Sequence, residues 1–322
     1  MVDLSTPRYT KAQLVAAAMA HGYRATDRLL TDWQAAGLLD QPTKRGLGRG
    51  KGIEALWPES QLRLWLLLLQ KRGEVTQVPV LCNIPVGLWL YFGDDYASVR
   101  QVRKCMRTWS YRYGSSRGHN RAKQEARALL AGVPIEGSKN AKADLISAMA
   151  KALLQGISSD EERRRLRHRL LGSVIKAGQE ESAATATVDV VLARLLGAQH
   201  LGRGDVADHI LAWARVWHLF GLRTYMAAHE AGSLPNIPGI DFSVPDFEKL
   251  IQNACLHLLS AVGMALSLGQ DEQLPAPLFH PDKWKEGWAS VNVQWGVEPG
   301  PILLPNGRQS ARLQIGVSGT IG

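Results

Sequence analysis

Cysteine is scarce in this sequence, and long apolar runs are missing from it. The 322 residues include three cysteines, Cys82, Cys105 and Cys255, and no two of them form a C-x-x-C pair. An odd number of widely spaced cysteines excludes a disulfide framework and favours buried, reduced thiols over a zinc site. No window reaches about eighteen uncharged apolar residues, and residues 1–11 lack the sections of a signal peptide. We therefore expect a cytoplasmic protein without a membrane partner.

The short motifs of common catalytic and cofactor sites are also missing. G-x-S-x-G, H-E-x-x-H and a dinucleotide fingerprint behind a strand do not occur. The stretch GLGRGKG, residues 46–52, resembles a phosphate-binding loop, but Walker A requires glycine at Arg45 and Ser or Thr at Gly52. His209 and His218 lack the i, i+4 spacing of two metal ligands on one helix face. We predict no catalytic residue, metal or cofactor, with an enzyme site hidden in residues 183–268 as the lesser alternative.

Positive charge is concentrated at one end of the chain, although the formal net charge of the whole is only +9. Residues 1–132 contain 20 Lys and Arg against 10 Asp and Glu, whereas residues 133–322 contain 18 against 19. A uniform excess would indicate only solubility, but an excess confined to the first two-fifths of the chain locates a surface for a polyanion. Nucleic acid is the simplest partner for such a surface.

Two helices separated by a short turn are predicted near the N-terminus. Thr10 followed by Gln13 has the spacing of a capping box, so a helix should begin at residue 11. Thr26 is the next candidate N-cap, and apolar residues recur at helical spacing after it until Gly37 supplies a C-terminal stop. The predicted arrangement is a helix, a turn and a second helix.

The second of these helices and the loop after it are the candidate DNA-contacting elements. Arg28, Thr31 and Asp32 fall off the apolar stripe, and Arg28 lies at the N-terminal end, where a helix in a major groove contacts base edges. Residues 40–52 then resemble a glycine-rich wing, whose basic residues are Lys44, Arg45, Arg49 and Lys51. A short strand over 53–57 and an apolar helix from Glu59 should complete the unit.

The order of these pieces resembles the DNA-binding domain of MerR-type winged helix-turn-helix proteins. The residues that carry the resemblance are Thr26 as the cap, Arg28, Trp33, the exit Gly37-Leu38-Leu39, Trp57 before a polar helix start, and Gln61-Leu62 within that helix. The resemblance covers residues 10–72, and it implies a recognition helix, a backbone-contacting wing and a homodimer. Thr31 stands where the family often has a second basic residue, and the wing is longer and richer in glycine than usual.

A second basic element is predicted between Tyr96 and Tyr113, which have the pattern of an amphipathic helix. Its cations occupy i, i+3, i+4 and i+7, on one face: Arg100, Arg103, Lys104 and Arg107. Glu125 is the single acid between residues 99 and 132, so the cations of this face have almost no nearby acids with which to form salt bridges. Contact with the DNA backbone and a merely solvated face remain two open interpretations.

Most of the remaining chain is predicted to be helical, with glycine and proline marking the ends of helices. Residues 74–85 contain Pro79 and Pro85 and are predicted as a linker or extended connection. Residues 133–139 are the predicted domain boundary, and the glycine-rich residues 197–204 should separate two later helices. The helices are expected at 140–156, 163–177, 183–196, 205–228 and 246–268.

The sequence therefore predicts a mainly α protein: a winged helix-turn-helix at 1–72, a basic helical extension at 73–132, a helical partner, dimerisation or effector domain at 133–269, and an irregular Pro/Gly-rich C-terminal segment at 270–322. We expect a sequence-specific double-stranded DNA-binding protein that regulates transcription and is not an enzyme. RNA polymerase or another regulator is a further candidate partner. The alternative is an architectural or recombination factor, because MerR-like winged helices also resemble excisionase-type DNA benders.

Overall fold

Helices dominate the fold, so the prediction of a mainly α protein is confirmed. The computed structural model describes residues 7–46, 52–94, 96–114, 119–130, 133, 135–157, 159–176, 181–204, 206–233 and 247–268. Two of the predicted wing residues, Arg49 and Lys51, and the predicted C-terminal segment 270–322 lie outside the described residues.

The N-terminal unit combines three helices with a small antiparallel sheet. Its elements in chain order are β1 (Arg8–Tyr9), α1 (Lys11–Ala20), α2 (Asp27–Ala36), β2 (Thr43–Gly46), β3 (Ile53–Pro58) and α3 (Glu59–Arg72). The strand order is β1-β3-β2, and Thr43 pairs with Leu56 and Gly46 with Ile53. The predicted strand at 53–57 is confirmed, and the stretch before it, predicted only as loop, forms its partner.

Local capping explains where α1 and α2 begin and end. The Thr10 side chain accepts from the Gln13 amide, and the Gln13 side chain accepts from the Thr10 amide at 2.8 Å, which completes the predicted capping box. Thr26 accepts from the Leu29 amide at 3.1 Å. Gly37 ends α2 with φ of +86°, a left-handed conformation that glycine adopts without the steric cost of a side chain.

The prediction of a linker at residues 74–85 is wrong. Two short helices occupy most of it and continue beyond it: α4 (Val78–Leu81) and α5 (Asn83–Phe92). Pro79 and Pro85 lie in the first turns of these helices, where a backbone N–H has no intrahelical acceptor. The prolines are therefore compatible with helix at these positions. Asn83 strengthens the junction, because its side chain donates to the Val80 carbonyl at 3.0 Å.

Eight further helices follow within the described ranges. They are α6 (Val99–Gly114), α7 (His119–Leu129), α8 (Lys139–Gln155), α9 (Asp160–Lys176), α10 (Glu181–Arg203), α11 (Asp208–Glu230), α12 (Phe247–Gln252) and α13 (Ala254–Leu268). Ser138 caps α8 by accepting from the Ala141 amide, so this helix begins one residue before the predicted 140. Ser159 accepts from the Glu162 amide at 3.2 Å, and α9 begins at Asp160, before the predicted start at residue 163.

The prediction that residues 197–204 separate two helices is wrong, because α10 continues to Arg203. Gly197 lies where α10 crosses α13, and a Cβ placed on it would be 2.3 Å from the Leu259 carbonyl oxygen. On the facing helix, a Cβ on Gly263 would be 1.7 Å from the Ala193 carbonyl oxygen. These glycines allow two helix backbones to touch, and the packing against α13 outweighs the low helix propensity of glycine.

One hydrophobic cluster connects the described elements, from Leu14 on α1 to Ala265 on α13. Helix α6 lies inside it and contacts elements on both sides, including α2, α5, α10 and α11. Val102 and Met106, two apolar residues of α6, are fully buried. The predicted segments 1–72, 73–132 and 133–269 therefore share a core. Among the described helices, none is both long and apolar enough to cross a membrane.

Candidate nucleic-acid interface

The N-terminal half of α2 is exposed on the side away from the core. Leu30 and Trp33 are buried, whereas the side chain of Arg28 is 91% exposed and that of Asp32 is 65% exposed. The Arg28 Nε atom lies 3.8 Å from Asp32 Oδ2. An exposed ion pair of this kind contributes little to stability, so the guanidinium can exchange its carboxylate for another acceptor at small cost.

Thr31, the third candidate on α2, has a partner on α1. Its hydroxyl donates to the Asp27 carbonyl at 2.9 Å and accepts from Lys11 Nζ at 2.8 Å. Lys11 Nζ also lies 3.9 Å from Asp27 Oδ2. Thr31 therefore helps to orient α1 against α2, and Lys11 adds a cation beside the exposed surface of α2 that the sequence analysis did not select.

Strand β2 presents two of the predicted wing cations to solvent. All four residues of β2 are exposed, including Lys44 and Arg45. In the antiparallel register, Arg45 is opposite Glu54 and Lys44 is opposite Ala55. Opposite charges at directly paired positions stabilise a sheet by a fraction of a kcal/mol, about 0.2–1. Lys44 faces a neutral residue across the strands, so its charge has no such cross-strand partner.

The four predicted cations of α6 have different surroundings, because α6 covers the C-terminal end of α2. Lys104 Nζ donates to the Gln34 carbonyl at 3.2 Å. Three other side chains of α6 donate to backbone carbonyls farther along the chain. Thr108 Oγ1 donates to the Ala36 carbonyl at 2.8 Å, Cys105 Sγ donates to the Gly37 carbonyl at 2.9 Å, and Gln101 Nε2 donates to the Leu38 carbonyl at 2.9 Å. The last carbonyls of a helix lack the amide donors that the next turn would supply. The Gln34 carbonyl also accepts from the Gly37 amide at 3.3 Å, and side chains of α6 cap the carbonyls beyond it.

Two arginines of α6 form ion pairs with distant acids. Arg100 Nη2 lies 2.9 Å from Asp40 Oδ1, and the other oxygen of Asp40 accepts from Ser98 Oγ at 2.6 Å. Arg103 pairs with Asp208 at the start of α11. Arg107 lies beside Gly204, after the end of α10. The predicted basic face thus holds α6 to the rest of the chain, and its contact with DNA stays a prediction.

A buried amide network joins α3, α6 and the exit of α2. Gln61 Oε1 accepts from the Asp40 amide at 2.8 Å, and its Nε2 donates to Gln101 Oε1 at 3.0 Å. The Trp57 indole donates to the Asp40 carbonyl at 3.0 Å. Satisfied polar networks in a core fix one geometry, because any other geometry leaves buried polar groups without partners. The direction in which α2 projects is therefore determined by three separate parts of the chain.

The helical region contains a buried polar cluster that the sequence analysis did not assemble. Tyr91 Oη lies 3.2 Å from His218 Nε2 and 3.2 Å from His257 Nδ1, and the two imidazole rings stack with centroids 5.1 Å apart. Burial lowers the pKa of His218 to about 3 and that of His257 to about 4, with further lowering of the latter by Arg194. Burial also raises the pKa of Tyr91. All three side chains are neutral near pH 7.

The three cysteines are buried and unpaired by disulfides. They meet at Cys105. Burial is the largest cause that raises the pKa of the Cys105 thiol, and a hydrogen bond with Cys82 and the proximity of Cys255 raise it further. A thiol in these surroundings is unreactive, because the thiolate is disfavoured. Across the described part of the chain, no group of three or more His, Cys, Asp and Glu side chains has an arrangement that could hold a metal ion.

Comparison with known proteins gives no relative. No family model, no curated protein and no solved structure matches the chain.

Proposed function

We propose that the chain binds double-stranded DNA through a winged helix-turn-helix formed by α1, α2 and the β2–β3 pair, and that it regulates transcription. Helix α2 is the recognition helix in this proposal, with Arg28 directed at base edges and Thr31 and Asp32 beside it. The pair β2–β3 is the wing, whose cations contact phosphates. The chain performs no catalysis.

The observation that carries this proposal is the contrast between two sets of cations. Arg100, Arg103 and Lys104 have acceptors within the chain. Lys44 and Arg45 project into solvent from β2, and the first turns of α2 are also exposed. Charged side chains without strong partners inside the protein lose little when they bind a phosphate, and each replaces condensed counterions on the DNA. The exposed cations therefore favour the surface of α2 and β2 for the polyanion.

The rigidity of α2 supports the same conclusion. A helix reads bases only if its position relative to the groove is reproducible, because side-chain hydrogen bonds to base edges require fixed geometry. Trp33 packs edge-to-face on Trp65 with centroids 5.1 Å apart, and the Trp65 indole donates to the Leu14 carbonyl at 3.1 Å. The buried side of α2 is thereby fixed to α1 and α3 while its opposite side remains open.

The test is selection of bound duplexes from random-sequence DNA with the full chain, followed by gel shifts on the recovered sequence. We expect one preferred site that binds at least about 10³-fold more tightly than random DNA at physiological salt, the lower end of specific recognition. Equal affinity for all sequences would contradict a sequence-specific regulator. The symmetry of the site reports stoichiometry: an inverted repeat indicates a homodimer, and a single half-site indicates a monomer.

The architectural alternative makes a different prediction for the same complex. A recombination or packaging factor of the excisionase type bends its DNA strongly, whereas a transcription regulator controls a promoter that contains its site. Circular-permutation gel shifts measure the bend, and a reporter placed behind the recovered site measures regulation. Strong bending without any effect on the reporter would favour the architectural function over the proposed one.

A further inference from the structure

We propose that a groove beside the N-terminal end of α2 holds the sugar-phosphate backbone of DNA, with Arg24 and Arg72 as its cations. This inference rests on the proposed DNA-binding function and adds two contacts to it. Arg24 lies in the turn between α1 and α2, and Arg72 is the last residue of α3. Neither belongs to the recognition helix or to the wing.

The lining of the groove suits a phosphodiester and its sugar. The groove has a volume of about 630 Å³, and its cations are Arg24, Arg28 and Arg72. Asp32 is its acidic lining residue and lies beside Arg28, so Arg24 and Arg72 supply the excess positive charge. Met19, Tyr23 and Leu29 add apolar surface to the same lining, and the exposed fraction of Met19 is 64%. Deoxyribose carbons can pack on that surface while the phosphate oxygens accept from the arginines.

Aromatic packing positions Arg72 before any ligand binds. Its guanidinium carbon lies 5.9 Å from the centroid of the Trp33 ring, within the distance of a cation–π contact. Trp33 is itself buried, and its ring is fixed by the edge-to-face contact with Trp65. Because a guanidinium already held against a ring loses less side-chain entropy on binding, each hydrogen bond to phosphate contributes more to the free energy of binding. Among the described residues, none accepts a hydrogen bond from this guanidinium, so its N–H groups can donate to a phosphate.

The described part of the chain supplies no carboxylate to either Arg24 or Arg72. By contrast, Arg63, on the same helix as Arg72, pairs with Glu59 at 2.6 Å. A planar guanidinium with open donor edges matches the oxygens of a phosphate in a bidentate arrangement. The groove adjoins Arg28, so a DNA strand seated in it passes next to the residue that the recognition helix directs at the bases. Backbone contacts of this kind set register and orientation.

The experiment compares four full-length variants by the salt dependence of duplex binding: Arg24→Gln, Arg72→Gln, the double variant, and Arg63→Gln as the matched control. Each is titrated with the selected duplex and with a random-sequence duplex at several salt concentrations. We expect the slope of log affinity against log salt to flatten by about 0.9 for each groove arginine and by about twice that for the double variant. The affinity losses should be equal on both duplexes. Arg63→Gln should leave the slope unchanged.

Two further measurements distinguish failure of the groove assignment from failure of the proposed DNA-binding function. Arg72→Lys keeps the charge but not the planar stacking, so it should preserve the slope while lowering affinity. Duplex binding with an unchanged slope in the double variant would overturn the groove assignment and leave the proposed function intact. Absence of duplex binding by the wild-type chain would overturn both. Inorganic phosphate at constant ionic strength should displace the duplex more readily from the wild-type chain than from the double variant, because it competes with the DNA backbone for the groove. If phosphate binds the wild-type chain and not the double variant but does not weaken duplex binding, the groove is a site for free phosphate and not for the DNA backbone.

Discussion

Arg100 and Asp40, 60 residues apart in the sequence, form an ion pair in which Arg100 Nη2 lies 2.9 Å from Asp40 Oδ1. The arginine side chain is 61% exposed and the carboxylate only 17% exposed. In a double-mutant cycle with Arg100→Gln and Asp40→Asn, we expect a coupling energy of roughly 0.5–1 kcal/mol in the free energy of unfolding, because half of the pair is in water. Chemical denaturation measures it, and a coupling of zero would contradict a structural role for Arg100.

The same helix gives a second prediction about DNA. Neutralising Arg100, Arg103, Lys104 and Arg107 together should lower the melting temperature and change the salt slope of DNA binding by less than one unit. The reason is that these side chains contact other parts of the chain: Arg100, Arg103 and Lys104 have acceptors within it, and Arg107 lies beside Gly204. A slope that flattens by up to about four units, at roughly 0.9 for each contacted phosphate, would instead show that α6 follows the DNA backbone.

Base recognition by α2 predicts a loss that depends on sequence. Arg28→Ala should weaken binding to the selected duplex by about 1–3 kcal/mol and binding to random DNA much less. Gel shifts on both duplexes measure the two losses. Arg28 is exposed and its pairing with Asp32 is loose, so we expect no change in the melting temperature. Equal losses on the two duplexes would remove Arg28 from base readout and assign it to the backbone.

The wing predicts a loss that does not depend on sequence. Each of Lys44→Gln and Arg45→Gln should flatten the salt slope by about one unit and leave the preferred site unchanged. The same result is predicted for Arg49→Gln and Lys51→Gln. The control is Lys139→Gln, a single charge removed from the exposed start of α8. Wild-type slopes in all four wing variants would exclude the β2–β3 pair from the interface.

The buried histidines predict an acid-sensitive fold. Their pKa values are about 3 and about 4 in the folded chain, below the ordinary value of about 6.5 in the unfolded chain. The unfolded state therefore binds more protons as the pH falls below about 6.5. The resulting loss of stability continues down to about pH 4 for His257 and about pH 3 for His218. By pH 5 each histidine should account for about 2 kcal/mol of the loss, and above pH 7 for none.

Variants identify the source of that acid sensitivity. The double change His218→Gln and His257→Gln keeps polar partners for Tyr91 but does not titrate. It should reduce the difference in unfolding free energy between pH 7.5 and pH 5 by roughly half or more. His229→Gln, at an exposed position near the end of α11, is the control and should leave the difference as in the wild type. An unchanged difference in the double variant would trace the acid sensitivity to other groups.

The elements that sequence analysis predicted well are those whose causes are local. Thr10 and Thr26 cap helices through hydrogen bonds to amides three residues away, and Gly37 ends α2 by its own conformation. These interactions need no other part of the fold. The start of α2, the exposed positions on it and the basic stretch after it could therefore be placed in advance.

The errors concern features whose causes lie far away in the chain. Gly197 has the local pattern of a helix breaker, but contact with α13 keeps it within α10. The acids that pair with α6 are Asp40 and Asp208, both outside the window in which acids were sought. Arg72 was missed because its place beside α2 depends on the packing of α3 against Trp33. No periodicity within one segment can report such contacts.

The close approach of α6 to Gly37 limits how this protein can be re-engineered. A Cβ at position 37 would lie 2.6 Å from both the Cys105 amide nitrogen and Lys104 Cβ. A chimaera that joins residues 1–72 to a foreign domain would thus remove the donors that satisfy the end of α2 and uncover the surface against which it packs. New DNA specificity is better introduced by exchanging the exposed side chains of α2 within the intact chain. The N-terminal unit therefore depends on its packing against the helical region and should not be transferred alone to another protein.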